Sequence, residues 1–133
     1  MAFSPVFFAF MKTSLPAVQS IRPFVPAKDF ALSKKFYKTL GFPLVSEWRG
    51  GAVFSAGSQS FILQDFYQKE LAENFMMQLL VTDLDKWWAH IDGLGLSEEF
   101  KTRPSKAPAV QPWGLRVAFV FDPSPVLWHI VQA

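Results

Sequence analysis

The 133-residue sequence has no cysteine and only two histidines. Without cysteine there is no disulfide framework, no thiol nucleophile and no thiolate zinc site, so any metal would rest on His, Asp or Glu. Excess charge of one sign is scarce too. Thirteen Lys and Arg against 11 Asp and Glu, spread along the chain, leave a net charge of +2, which is no footprint for nucleic acid. Long apolar runs are missing: Val6 to Met11 falls far short of the about 20 residues that cross a bilayer, so no membrane partner is expected. Lys12 follows that run, where a secretory signal would place its basic residues first. Residues 1–16 therefore read as a leader or tail outside the fold, with Met11 as an alternative start, and the protein reads as cytoplasmic. No phosphate loop, nucleophile elbow, H-E-x-x-H motif or spaced carboxylate pair occurs in the strand segments.

Aromatic residues are abundant, with fifteen Phe, five Trp and two Tyr in a chain that is 50% hydrophobic. The length suits one domain, residues 17–133. The aromatic content exceeds what its core needs, and the surplus is expected to line a cavity or an oligomer interface.

An internal repeat organises this domain. Asp29, Leu40 and Gly41 recur as Asp83, Leu94 and Gly95 at one constant offset. An apolar segment precedes each Asp, Ile21 to Ala27 and Phe75 to Val81, and reads as a strand. Between each Asp and its Leu-Gly the apolar residues return at helical spacing: Phe30, Phe36, Tyr37 and Leu40, then Leu84, Trp87, Trp88 and Ile91. The Asp is placed to cap each helix, with Gly41 to end the first and Gly93 or Gly95 to end the second. Three strands follow in the first copy, over 42–48, 52–56 and 60–66. In the second copy the strands are expected over 97–102, 115–121 and 126–132, with a proline-containing loop through Pro104, Pro108 and Pro112. The fold class is thus α+β: two βαβββ half-modules, about 17–67 and 74–133, pairing into one curved mixed sheet around a cavity with helices outside.

The run Ile21 to Asp29, followed by Phe36-Tyr37 and Leu40-Gly41-Phe42, resembles the first half-module of the glyoxalase / bleomycin resistance / extradiol dioxygenase group, the vicinal oxygen chelate superfamily. Pro112-Trp113-Gly114 with Arg116, then Phe121-Asp122-Pro123 and Leu127-Trp128-His129, resembles the end of its second half-module. Within the group the chain is similar to the small bleomycin-resistance-like proteins. That resemblance implies a homodimer that binds a small-molecule ligand. In metal-dependent relatives four ligands come from the inner sheet faces, and the resemblance maps them to Arg22, Met76, His129 and either Leu63 or Gln64. A guanidinium has no lone pair and a thioether is soft, so His129 is the one convincing donor and neither metal nor cofactor is expected.

Several residues are candidates for ligand binding. Arg22 either attracts a carboxylate or phosphate or pairs with a nearby acid. Gln64 and Gln78 stand in apolar strands and either bond to each other or address a ligand, while Met76 shares a strand face with Gln78. His129 and Trp128 point to opposite faces, and the resemblance puts His129 inward, as acceptor, general base or hydrogen-bonded core residue. The resemblance sets Trp113 at the cavity border. Arg116 binds an anion or pairs structurally, and Trp48 and Phe66 fall at cavity or dimer edges. His90 reads as a solvated helix residue. The expected function is metal-free sequestration of an aromatic or anionic ligand in an apolar groove. The alternatives are a lyase, isomerase or dioxygenase of the same group using His129, and a partner-binding dimer with no small-molecule function.

Overall fold

The structure is a computed structural model that describes residues 15–133. The reading of the N-terminal segment as a leader, and of Met11 as a start, concerns residues outside the described ones except for Leu15 and Pro16. The first half-module runs β1 (Phe24–Pro26), α1 (Phe30–Leu40), β2 (Leu44–Trp48), β3 (Gly51–Ala56) and β4 (Gln59–Gln64). A short helix, α2 (Lys69–Asn74), joins it to β5 (Met76–Val81), α3 (Leu84–Leu94), α4 (Leu96–Phe100), β6 (Lys106–Val110), β7 (Arg116–Phe121) and β8 (Leu127–Gln132).

Both halves have the same topology. The sheet orders are β1-β4-β3-β2 and β5-β8-β7-β6, with the opening strand parallel to the last and the other pairs antiparallel. The expected helix caps are in place: Asp29 Oδ1 accepts from the Leu32 amide at 3.1 Å and Asp83 Oδ1 from the Lys86 amide at 3.1 Å. Each such cap contributes about 1 kcal/mol. Gly41 and Gly95 stand at the C-caps in the left-handed conformation.

The expected α+β arrangement of two half-modules is present, each half contributing its own four-stranded mixed sheet. Edge strands β1 and β6 carry Pro26 and Pro108, and a residue without an amide N–H interrupts any further ladder. The strand expected over 97–102 is replaced by α4, and the stretch read as a proline-containing loop supplies β6. Leu96 and Phe100 are four apart and both buried, which is a helical period, and Phe100 meets the Phe36 ring edge-on at 5.3 Å.

One core serves both halves. Val25, Ala52, Phe54, Phe61 and Leu63 of the first sheet and Ala118, Val120, Trp128 and Ile130 of the second pack with Phe36, Tyr37, Leu40, Leu84 and Ile91 of the helices. A buried polar cluster crosses the same interface. Tyr37 donates to Asp122 Oδ2 at 2.6 Å, and Trp128 Nε1 donates to the Tyr37 hydroxyl at 3.0 Å. Asp122 Oδ1 accepts the amides of Ser124 (2.7 Å) and Val126 (2.8 Å). This carboxylate closes the Asp122-Pro123-Ser124-Pro125 turn without a glycine, so β8 enters the sheet in register, with Leu127 opposite Phe121.

Candidate functional site

The faces turned away from the core hold most of the predicted site residues. Along β5 the alternation separates Met76, Gln78 and Leu80, which are exposed, from Met77 and Leu79, which pack on the core. Strand register carries this face across the second sheet. Gln78 lies beside His129, His129 beside Phe119 and Phe119 beside Lys106; in the next row Met76, Leu127 and Phe121 are neighbours. Directly paired residues project to the same side.

His129 sits at the centre of this face. The Phe119 ring meets it edge-on at 4.9 Å and the Trp113 indole lies at 6.3 Å, tilted by 36°. Its Nε2 is buried and has no hydrogen-bond partner among the described residues. Burial pushes the imidazole pKa below its ordinary value, so the ring is neutral at neutral pH, with one donor and one acceptor nitrogen. A buried polar atom left unpaired costs about 1–3 kcal/mol. A cavity of about 200 Å³ is bordered by Met76, Met77, Gln78 and His129. A second, of about 280 Å³, lies between the β3–β4 hairpin at Ala56, Gln59 and Ser60 and the β5 residues Gln78 and Leu80. Trp113 is presented by a tight turn in which the Gly114 amide donates to the Gln111 carbonyl at 2.8 Å. Gly114 has φ +94° there, a conformation that a side chain disfavours.

The first sheet presents a smaller group. Leu63 is fully buried in the core, so of the two alternatives Gln64 is the one on the opposite face. Gln64 pairs with Gly51 and Gly51 with Trp48. The Trp48 indole lies directly over Gly51, where a Cβ would come within 2.3 Å of Trp48 Cε2. Gly51→Ala is expected to push this indole off the sheet and change the intrinsic fluorescence. The change should disappear when both proteins also carry Trp48→Phe; if it persists, the packing described for Trp48 is incorrect.

The structure gathers Met76, Gln78, Trp113 and His129 on the second sheet, and Trp48 and Gln64 on the first. No hydrogen bond links Gln64 to Gln78 among the described residues. Phe66 follows β4 and is half-exposed, and Arg22 is exposed ahead of β1, with no ion pair among the described residues. Arg116 is separated from this group. It shares the core-side face with Ala118 and Val120, and its Nη2 is 2.6 Å from Asp85 Oδ1 of α3, which is the structural pairing. His90 is not simply solvated, because its Nε2 lies 2.6 Å from the Leu40 carbonyl oxygen and ties α3 to the end of α1.

Sequence reasoning missed Phe121, Arg103 and Lys106. The Arg103 guanidinium lies over the Phe121 ring at 5.4 Å, and Lys106 is hidden in a segment read as loop. Their signal is a negative one: the four strands of the second sheet contain no Asp or Glu.

A divalent cation does not fit this donor set. The positions assigned to ligands hold Arg22, Met76, Gln64 and His129, of which one is a strong donor. Among the described residues no three His, Asp or Glu side chains converge.

Comparison with known proteins agrees with this architecture. The family model of the Glyoxalase/Bleomycin resistance protein/Dioxygenase superfamily matches residues 18–130. A bleomycin resistance protein of Klebsiella pneumoniae is 28% identical over 115 residues, covering 83% of this chain and 89% of that protein. The crystal structure of a bleomycin-binding protein complexed with bleomycin superposes with a TM-score of 0.74 at 25% identity, covering 87% of this chain and 99% of the other. A lactoylglutathione lyase from Agrobacterium tumefaciens shares the fold with a TM-score of 0.60 at 16% identity, covering 88% and 96%.

Proposed function

The chain belongs to the Glyoxalase/Bleomycin resistance protein/Dioxygenase superfamily, and from that premise we propose that it sequesters a small organic molecule without a metal, as a bleomycin-resistance-like binding protein. The observation that carries this reading is the face around His129. An unpartnered, neutral ring nitrogen stands between Trp113 and Phe119 beside a cavity, where a ligand supplies the missing hydrogen bond and the rings its apolar contact. The similarity to a bleomycin-binding protein complexed with bleomycin and to a bleomycin resistance protein supports sequestration as the mode of action.

An enzyme of the same fold would need a carboxylate to orient and charge the imidazole, or a metal at its edge. The strands around His129 contain no Asp or Glu that could do either. The rest of the reading is a cytoplasmic homodimer. Phe24, Met76 and Leu80 are 54%, 63% and 61% exposed on the faces away from the core, apolar surface that a second copy would cover.

The test is a thermal-shift screen of bleomycin, aromatic acids and thiol conjugates. Any hit is then titrated with and without EDTA, and the bound compound is recovered for mass analysis. Saturable binding indifferent to EDTA, with the ligand recovered unchanged, is the expected result. Conversion of the ligand, dependence on a metal, or no stabilisation by any compound would overturn the reading. Sedimentation equilibrium should give twice the 15.1 kDa chain mass; a single-chain mass removes the dimer from the proposal.

A further inference from the structure

Resting on the binding function proposed above, we infer that the open face of the second sheet takes an aromatic carboxylate, with the rings around His129 seating its aromatic body and Arg103 and Lys106 its anionic end. The strands of this sheet carry only two charged residues, Lys106 and Arg116, both positive. Arg116 is turned to the helix side and neutralised by Asp85. Lys106 remains, in the row that continues through Phe119 to His129. Arg103 joins it from just before β6, its guanidinium stacked on Phe121, which belongs to the same face through its pairing with Leu127. Neither Arg103 nor Lys106 makes an ion pair among the described residues.

The strands of this face therefore contribute only positive charge on the β6–β7 side, while its floor is aromatic and its central imidazole neutral. A carboxylate gains charge-assisted hydrogen bonds from a guanidinium and an ammonium, and a ring attached to it reaches Phe119, Trp113 and His129. A cationic ligand meets two like charges at the same place. This charge pattern is a specificity element, since rejection of the wrong sign contributes as much to discrimination as attraction of the right one. Arg22 is no part of this anion site, because it lies ahead of β1 at the edge of the other sheet.

The test uses 2-naphthoate, its neutral isostere 2-naphthamide and the cation 2-naphthylmethylamine, titrated against the full chain by tryptophan fluorescence at low salt. Naphthoate should bind at least about tenfold more tightly than the amide, with the amine weakest, and its advantage should shrink with added salt. Arg103→Gln combined with Lys106→Gln should reduce naphthoate to the level of the amide while leaving amide affinity unchanged, and Arg22→Gln should leave both unchanged. Equal affinities for acid and amide in the unaltered protein, or a preference that survives the double substitution, overturns the anion site but leaves the binding function standing. No binding of any of the three also overturns it, and the separate screen with bleomycin and thiol conjugates then decides the function independently.

Discussion

Asp122→Ala is expected to destabilise the protein by about 3–4 kcal/mol and to lower its melting temperature more than any surface substitution. The side chain is 1% exposed and receives three hydrogen bonds, from the Tyr37 hydroxyl and from the amides of Ser124 and Val126. Truncation strands all three donors, and the two amides shape the turn that starts β8. Because Tyr37 belongs to α1 and Asp122 to the β7–β8 turn, the loss falls on the junction of the two half-modules. Asp122→Asn keeps an acceptor for the amides and should cost far less.

The same residue makes stability depend on pH. Burial raises its pKa from 3.8 to about 6, against the opposing effect of the Tyr37, Val126 and Ser124 hydrogen bonds. The folded protein thus binds this proton more tightly than the unfolded chain. Its stabilising contribution is complete below pH 3.8 and is lost as pH rises through about 6. At about 1.4 kcal/mol per tenfold change in proton affinity the difference is about 3 kcal/mol. Unfolding free energies of the wild type and Asp122→Asn should therefore diverge between about pH 4 and about pH 7, the wild type losing ground as pH rises. Parallel curves would show that the carboxyl titrates normally.

Adjacent residues on β8 should behave oppositely. Trp128 is 2% exposed and packs within 5.7 Å of the Tyr37 ring, 5.4 Å of Phe42 and 5.3 Å of Phe61. Trp128→Ala should cost about 3–5 kcal/mol through the cavity it leaves, with a further loss from its hydrogen bond to Tyr37. His129→Leu removes an unpaired nitrogen instead of a contact. Stability should hold or rise by about 1 kcal/mol, while affinity for any compound found by the screen falls at least about tenfold. Equilibrium unfolding paired with titration reads both effects. If His129→Leu unfolds the protein, or binds as tightly as the wild type, the role given to this imidazole is wrong.

Much of the scaffold is legible in the chain because its signals are local. The repeated Asp and Leu-Gly marks bracket both helices, and both Asp residues make the cap bonds their spacing promises. The strand expected over 97–102 is a helix because its two apolar anchors, Leu96 and Phe100, stand four apart around the polar Ser97, Glu98 and Glu99, and Phe100 packs on Phe36. Pro108 concealed β6, since proline argues against a strand unless that strand lies at an edge.

The site was less legible. Choosing between Leu63 and Gln64 needs the register of β4, and the identity of the free cations needs the partner of Arg116, which stands 31 positions away in sequence at Asp85.

The sequence by itself determined the two half-modules, the capped helices that open each of them and the aromatic supply, because capping and alternation are properties of residues and their near neighbours. Only the tertiary structure decided that Asp122 is buried and bonded to Tyr37, that Arg116 pairs with Asp85, and that Arg103 lies over Phe121 and Lys106 beside Phe119. Those outcomes depend on how helices dock on twisted sheets and on which strands lie at the edges, and residues far apart in the chain meet only after that packing is complete.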